Sequence, residues 1–163
     1  MKTQITHFGT INSDTFQQSY ETRITLDGHD VSLDLNFYTV SPDSAGWTAE
    51  YENYAALLPD YKRNVEAAIA DDFQKGGETR KYIDFHLKEM PPALLERLMQ
   101  SADSSLPDDE RLLSLLKLKR IGFYPGDRLY AVWDYTPGWQ FTDQLIVGNT
   151  DNEGKVKYVS WEC

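Results

Sequence analysis

The chain has 163 residues, of which 40% are hydrophobic, 26% charged and 13% aromatic. This length fits one domain with its own core, so we expect a single domain over residues 1–163, and the aromatic content argues against disorder. No apolar run approaches the ~18 residues of a membrane span, and the polar start is unlike a signal peptide, which favours a cytoplasmic protein. Cys163 is the only cysteine, which excludes an intrachain disulfide and a zinc site built on cysteines.

The formal net charge is −10, and the negative charge is concentrated towards the N-terminus. Between Ser13 and Asp60, nine acidic residues accompany a single basic residue, Arg23, so this segment alone carries −8. A field of this sign repels nucleic acids and anionic membranes, and it attracts cations and basic proteins. We therefore expect no nucleic-acid or membrane partner. The negative charge either only keeps the protein soluble or attracts a basic partner.

The strongest hairpin pattern lies in residues 20–38, where an Asp-Gly pair at residues 27 and 28 joins two alternating runs. If Leu26 pairs with His29, then Glu21 lies directly opposite Asp34 on one side of the hairpin. A like-charge pair of this kind is destabilising unless a basic residue, a cation or a partner lies nearby. The side that carries Glu21, Asp30 and Asp34 should therefore be hydrated and negative.

The hydrophobic period changes from 2 to 3.6 in the middle of the chain. Apolar residues at three- and four-residue steps predict one helix in residues 41–58 and a second in residues 59–77, meeting near Pro59 and ending at Gly76-Gly77. Residues 79–90 fit either a helix or a strand. Residues 92–99 and 106–116 are each predicted to form a short helix.

From Lys117 onward the period returns to 2. Four runs with short connections, at residues 118–125, 128–135, 142–149 and 155–162, predict an antiparallel meander of about four strands. A hairpin, then helices, then a meander is typical of an α+β fold in which the helices pack on one face of the sheet.

Searches for chemical motifs give weak signals. Gly76-Gly77 lacks the neighbours of a phosphate-binding loop, and the three histidines have no metal-ligand spacing; they are His7, His29 and His86. We predict no catalytic residue, metal ligand or cofactor. An assembled site of carboxylates and histidines stays open as an alternative, for example a divalent cation held by Glu21, Asp30 and Asp34.

The one basic cluster is KLKR at residues 117–120. Strand alternation should point Lys117 and Lys119 one way and Leu118 and Arg120 the other. We expect a solvated edge strand, because basic residues protect sheet edges and the chain as a whole is too acidic for a nucleic-acid-binding protein.

An aromatic turn, DYTPGWQFTDQL at residues 134–145, separates two of the predicted strands. Pro137-Gly138 suits the two central positions of a type II turn, so the neighbouring aromatics are not needed for turning. They either cover the end of the core or stand exposed as anchors for a basic partner. In the second case the anchors are Tyr135 and Trp139, beside Asp134 and Asp143.

The C-terminal part of the chain, residues 78–162, resembles a bacterial domain family that has no assigned activity. The shared elements are an RIG-x-YP segment, an F/W-DY strand end, a T-D-x-L-x-V strand and a terminal strand that closes as SWE here. The resemblance implies the meander and transfers no catalytic residues. The matching residues are Arg120, Ile121, Gly122, Tyr124, Pro125, Asp134, Tyr135, Thr142, Asp143, Leu145 and Val147.

The favoured hypothesis is a non-enzymatic protein-binding module. In size and charge the chain is similar to immunity proteins that neutralise basic toxins, which is an argument by analogy. The predicted contact residues are Trp139, Tyr135, Asp134 and Asp143, with Glu21, Asp30 and Asp34 supplying the negative field. Two alternatives stay open, namely an enzyme or metal-binding domain and a homodimeric structural subunit.

Overall fold

A computed structural model of the protein describes residues 1–15 and 17–163. The strands are β1 (Lys2–Ile5), β2 (Gly9–Asn12), β3 (Ser19–Leu26), β4 (His29–Asn36), β5 (Lys117–Phe123), β6 (Ala131–Thr136), β7 (Leu145–Thr150) and β8 (Val156–Glu162). The helices are α1 (Trp47–Ala55), α2 (Leu58–Gln74), α3 (Glu78–Glu89), α4 (Pro92–Met99) and α5 (Asp108–Ser114). The predicted α+β class is confirmed, and residues 79–90 are helical.

The strands form a six-stranded sheet in the order β3-β4-β5-β6-β7-β8, with β1 and β2 as a separate small hairpin. The prediction of a hairpin apart from a four-stranded meander was therefore incomplete. Strand β4 pairs in parallel with β5, which merges the two parts into one sheet, while the other neighbours in this sheet are antiparallel. The residues between β4 and β5, α1 to α5 among them, supply the long connection that parallel neighbours require.

The β3–β4 hairpin has the predicted register. Leu26 pairs with His29 across the turn, and Glu21 pairs with Asp34. Asp27 and Gly28 adopt φ values of 51° and 77°, as the tight turn requires. An Asp-Gly turn between alternating runs thus determined which side chains share a face.

The ends of the helices follow the predicted signals. Pro59 lies in the first turn of α2, where its missing N–H costs nothing. Gly76 follows the end of α2 with a φ of 76°, the left-handed conformation that commonly terminates a helix. Pro92 begins α4, with two residues between it and the end of α3. Within the described residues, none of the helices has the length and apolar character needed to cross a membrane.

The helices pack on one face of the six-stranded sheet. Trp133 on β6 is fully buried there, and its indole N–H donates to the hydroxyl of Tyr54 on α1 over 2.9 Å. Gly148 on β7 allows close approach of α2, because a Cβ at this position would lie 2.5 Å from Cγ1 of Val65. Helices α1 and α2 thus contact the same face of the sheet, and most side chains on the opposite face are polar.

Candidate functional site

The sheet face opposite the helices is called here the polar face. Strand alternation and the observed registers place on it a set of side chains from all six strands. The set comprises Glu21, Arg23, Asp30, Ser32, Asp34, Arg120, Val132, Asp134, Leu145, Val147, Tyr158, Ser160 and Glu162. Among them Glu21, Asp30, Tyr158 and Glu162 are exposed, so this face is open to solvent.

An ionic network centred on Arg120 lies in the middle of the polar face. The guanidinium donates to both carboxylate oxygens of Asp34, over 2.5 and 2.8 Å. It also donates over 2.9 Å to Oδ2 of Asp134 and over 2.9 Å to the hydroxyl of Tyr124. Asn36 adds a donor to Asp34 at 2.6 Å. Four N–H groups of one arginine thus tie β4, β5 and β6 together.

A β-bulge directs Arg120 onto the polar face. The pairing of β5 with β6 shifts between Leu118 and Arg120, which makes Lys119 the extra residue. Leu118 is consequently buried in the core while Arg120 faces the other way. The prediction that these two side chains point in the same direction was wrong, because alternation alone takes no account of a bulge. The expected edge position was also wrong, because β5 lies between β4 and β6.

Gly122 provides the space in which the guanidinium lies. A Cβ at Gly122 would be 2.5 Å from Nη2 of Arg120 and 3.0 Å from Oδ1 of Asp34. Both distances are shorter than ordinary van der Waals contact, so any larger residue would displace the ion pair. The spacing Arg-Ile-Gly therefore has a physical reason: residues 120 and 122 share a face, and the second must lack a side chain.

The network keeps a surplus of negative charge in a partly buried place. The side chains of Asp34 and Asp134 are 11% and 9% exposed, and together they share one guanidinium. Burial raises the pKa of Asp134, Arg120 offsets this in part, and the charges of Asp34 and Glu162 raise it further. Burial by itself would lower the pKa of Arg120, but the hydrogen bonds and charge of Asp34 outweigh it, so the pKa is raised.

The three acids predicted to supply a negative field, Glu21, Asp30 and Asp34, lie on this one face. Glu21 lies opposite Asp34 as expected, and Arg120 provides the neighbouring cation that such a pair needs. Asp30 pairs with Arg23 over 2.6 Å at an exposed position. The hydrogen bond from Arg23 lowers the pKa of Asp30 despite some desolvation. Asp134 was predicted as part of the aromatic turn, but it belongs to the Arg120 network.

Tyr135 lies on the opposite side of the sheet from Asp134, because consecutive strand residues alternate. It is 2% exposed, and its hydroxyl donates to Oε2 of Glu66 on α2 over 2.9 Å. Burial is the first cause of its raised pKa, followed by the charge of Glu66. The prediction of Tyr135 as a surface anchor is therefore corrected: it is a core residue.

The loop between β6 and β7 carries the other predicted anchors. Its hydrogen-bonded turn runs from Gly138 to Phe141, over 3.0 Å, rather than being centred on Pro137-Gly138. Trp139 is 58% exposed and Asp143 is exposed, while Phe141 packs partly against the core. Of the two uses considered for these aromatics, Phe141 covers the end of the core and Trp139 stands in solvent.

His86 attaches this loop to the helices. Its Nε2 lies 2.9 Å from Oγ1 of Thr142, and its Nδ1 lies 2.8 Å from the carbonyl oxygen of Tyr82. Since Nδ1 must then carry the proton that the carbonyl accepts, Nε2 accepts a hydrogen bond from Thr142. Burial lowers the pKa of His86, so the neutral ring is the stable form here.

Within residues 1–15 and 17–163, no three His, Cys, Asp or Glu side chains are grouped so that they could hold a metal ion. The acids proposed for such a site instead lie beside arginines, as described for Asp30 and Asp34.

Sequence reasoning missed Arg120 as the centre of the site. The signal was present, since Arg120, Gly122, Tyr124 and Asp134 are all among the residues of the family resemblance, and the structure brings these four together. It also missed exposed Tyr158 on β8, because an aromatic in an alternating strand is usually taken as core. The resemblance itself stays a prediction: no family model, curated protein or solved structure matches the chain.

Proposed function

We propose that the protein is a non-enzymatic bacterial protein-binding module that takes a basic protein on its polar face, as an immunity-type inhibitor of a basic toxin does. The observation that carries this proposal is the acidic surplus on an uncovered sheet face. Five acids lie there, namely Glu21, Asp30, Asp34, Asp134 and Glu162.

The basic residues of the polar face are already engaged. Arg23 and Arg120 each pair with acids of the same face, and Lys119 is close enough to Asp30 to lower its pKa. The exposed acids Glu21 and Glu162 have no ion-pair partner among the described residues. With a net charge of −10 on the whole chain, a basic protein is attracted at long range and oriented at short range.

Exposed aromatic side chains lie on and around the polar face. Tyr158 is 50% exposed on β8, and Trp139 is 58% exposed beyond the end of β6. At the opposite end of the sheet Tyr38 is 60% exposed, with its ring 6.2 Å from that of Tyr124. Tryptophan and tyrosine are the residue types that most often anchor protein interfaces. Acids that steer and aromatics that anchor are the two components an inhibitor of a basic protein needs.

The proposal is tested by affinity capture with matched charge variants. The wild-type chain, a face variant carrying Glu21→Lys and Asp30→Lys, and a helix variant carrying Glu89→Lys and Glu96→Lys are immobilised and exposed to extract of the native bacterium. The two variants change the net charge equally, and all four acids are exposed. Bound proteins are eluted with a salt gradient and identified by mass spectrometry.

We expect a basic protein that binds the wild type and the helix variant, elutes at raised salt, and is lost from the face variant. Equal retention by both variants would contradict the proposal, because binding would then follow net charge alone. Sedimentation of the wild type checks the remaining alternative: a dimer dissociated by the face substitutions would replace the basic protein with a second copy of the chain.

A further inference from the structure

A depression of about 260 Å³ lies on the polar face beside the Arg120 network. Charged and aliphatic side chains line it together, among them Arg120, Val132, Asp134, Leu145, Val147 and Glu162. Sites for drug-sized ligands usually measure about 300–1,000 Å³. The depression is smaller, so it suits one long side chain better than a separate small molecule.

The shape and polarity of this depression match a long basic side chain. Val132, Leu145 and Val147 offer aliphatic surface along which the methylene stem of such a side chain can lie. Asp134 and Glu162 offer carboxylates to the cationic head. Neutral or acidic side chains would leave the negative surplus of the Arg120 network without a counter-charge.

One carboxylate oxygen of Asp134, Oδ1, accepts no hydrogen bond from the residues that the structure describes. Its side chain is 9% exposed, and Arg120 donates to Oδ2 over 2.9 Å. Among the residues that the structure describes, none donates to Oδ1 of Asp134, whereas both oxygens of Asp34 are occupied. Solvent reaches this oxygen, although most of the side chain is buried, so a cation that enters the depression can contact it directly.

The single open oxygen distinguishes lysine from arginine. A guanidinium pairs best with both oxygens of one carboxylate, and Asp134 has only one to offer. An ammonium is a compact charge that does not require two oxygens of the same carboxylate, and it can contact Asp134 and Glu162 together. A second guanidinium beside Arg120 would also bring two flat cations side by side.

We infer that this depression receives a lysine side chain of the basic partner, with the stem against Val132 and Val147 and the ammonium on Asp134 and Glu162. The inference rests on the proposed function and goes further, because it names the contact at which the partner is recognised. The lysine provides the second cation that two acids sharing one arginine lack.

The test uses a small probe, so that it does not depend on identifying the partner. Nα-acetyl-lysine methylamide is titrated at low salt into the 15N-labelled chain and followed by NMR, beside the norleucine analogue, which has no charge, and the arginine analogue. We expect saturable shifts at Asp134, Val147 and Glu162 with a Kd of about 1 mM, typical of a ligand of this size. The norleucine analogue should not saturate, and the arginine analogue should bind more weakly.

Variants locate the binding. Asp134→Asn should weaken the lysine probe about tenfold, and Glu162→Gln about threefold because Glu162 is exposed. Glu21→Gln, a charge change elsewhere on the polar face, should leave the Kd unchanged. If Asp134→Asn does not fold, Val132→Phe replaces it, since it fills the depression, keeps every charge and should abolish binding.

Two results would overturn the inference. One is equal binding of the lysine and norleucine probes, and the other is an unchanged Kd in Asp134→Asn, or in Val132→Phe where Asp134→Asn does not fold. Failure here is separable from failure of the proposed function. Capture of a basic protein that is lost in the Glu21→Lys, Asp30→Lys variant, together with no lysine binding, removes the inference and keeps the proposed function. Specific lysine binding without any captured protein keeps the lysine site and counts against the proposed function.

Discussion

Replacing Arg120 with methionine is the sharpest test of the network at the centre of the polar face. Methionine keeps an unbranched side chain and removes the charge, which leaves Asp34 and Asp134 at 11% and 9% exposure without their cation. Breaking a buried pair from one side costs about 3–5 kcal/mol. Because Arg120 itself is 31% exposed, we expect the lower end, about 3 kcal/mol. This corresponds to a fall of about 6–12 °C in Tm for a chain of this size.

The free energy of unfolding is measured by urea denaturation at pH 7 and pH 5. Burial raises the pKa of Asp134 and Arg120 offsets this in part, so without Arg120 that pKa rises further in the folded state. The charged carboxylate then destabilises the folded state at high pH, and the penalty fades as the group protonates. The difference from wild type should therefore shrink at pH 5. The matched control is Arg23→Met, an exposed ion pair on the same face, which should change nothing measurable. A loss below about 1 kcal/mol, or one equal at both pH values, would refute the reasoning.

Gly122→Ala should destabilise the folded chain by about 1–3 kcal/mol in urea denaturation, because its Cβ would displace the guanidinium of Arg120. The loss should be smaller when Arg120 is already methionine. Strictly additive effects of the two substitutions would contradict this cause. Burial lowers the pKa of His86 below its ordinary 6.5, so the unfolded chain binds the proton more readily. The free energy of unfolding should therefore decline as pH falls from 6.5 towards the folded pKa. In unfolding curves measured at pH 5–7, His86→Gln should reduce this dependence on pH. Trp139→Ala with Asp143→Lys should weaken capture of the basic partner and leave Tm unchanged, since Trp139 is 58% exposed; a large fall in Tm would mean that Trp139 contributes to packing.

The parts of the fold that sequence predicted are those determined by neighbours in the chain. The Asp27-Gly28 turn fixed the register of β3 and β4, and Pro59 and Gly76 marked the limits of α2. The parallel pairing of β4 with β5 was not predictable in this way. It joins segments more than 80 residues apart, and no local pattern specifies which strand edge a distant strand will choose.

The candidate site also has a part that the sequence predicted and a part that it did not. The side that Glu21 and Asp34 share follows from alternation, so the acidic face of the hairpin was predictable. The place of Arg120 depends on the bulge at Lys119, and bulges leave little trace in the hydrophobic pattern. Tyr135 was misassigned because a turn-flanking aromatic was read as part of the loop, whereas it is the last core-facing residue of β6.

The parallel junction of β4 and β5 also affects how the chain folds. The β3–β4 hairpin and the β5–β8 meander are built from local pairings that form quickly, whereas Arg120 meets Asp34 across 86 residues of chain. Closing a flexible loop of that length costs about 4 kcal/mol of entropy. Docking of these two half-sheets has to close that loop, and Arg120 can meet Asp34 only when they dock. A register slip of one residue there would turn Ile121 and Phe123 outward and expel Arg120 from the carboxylates, so the network permits one alignment of the halves.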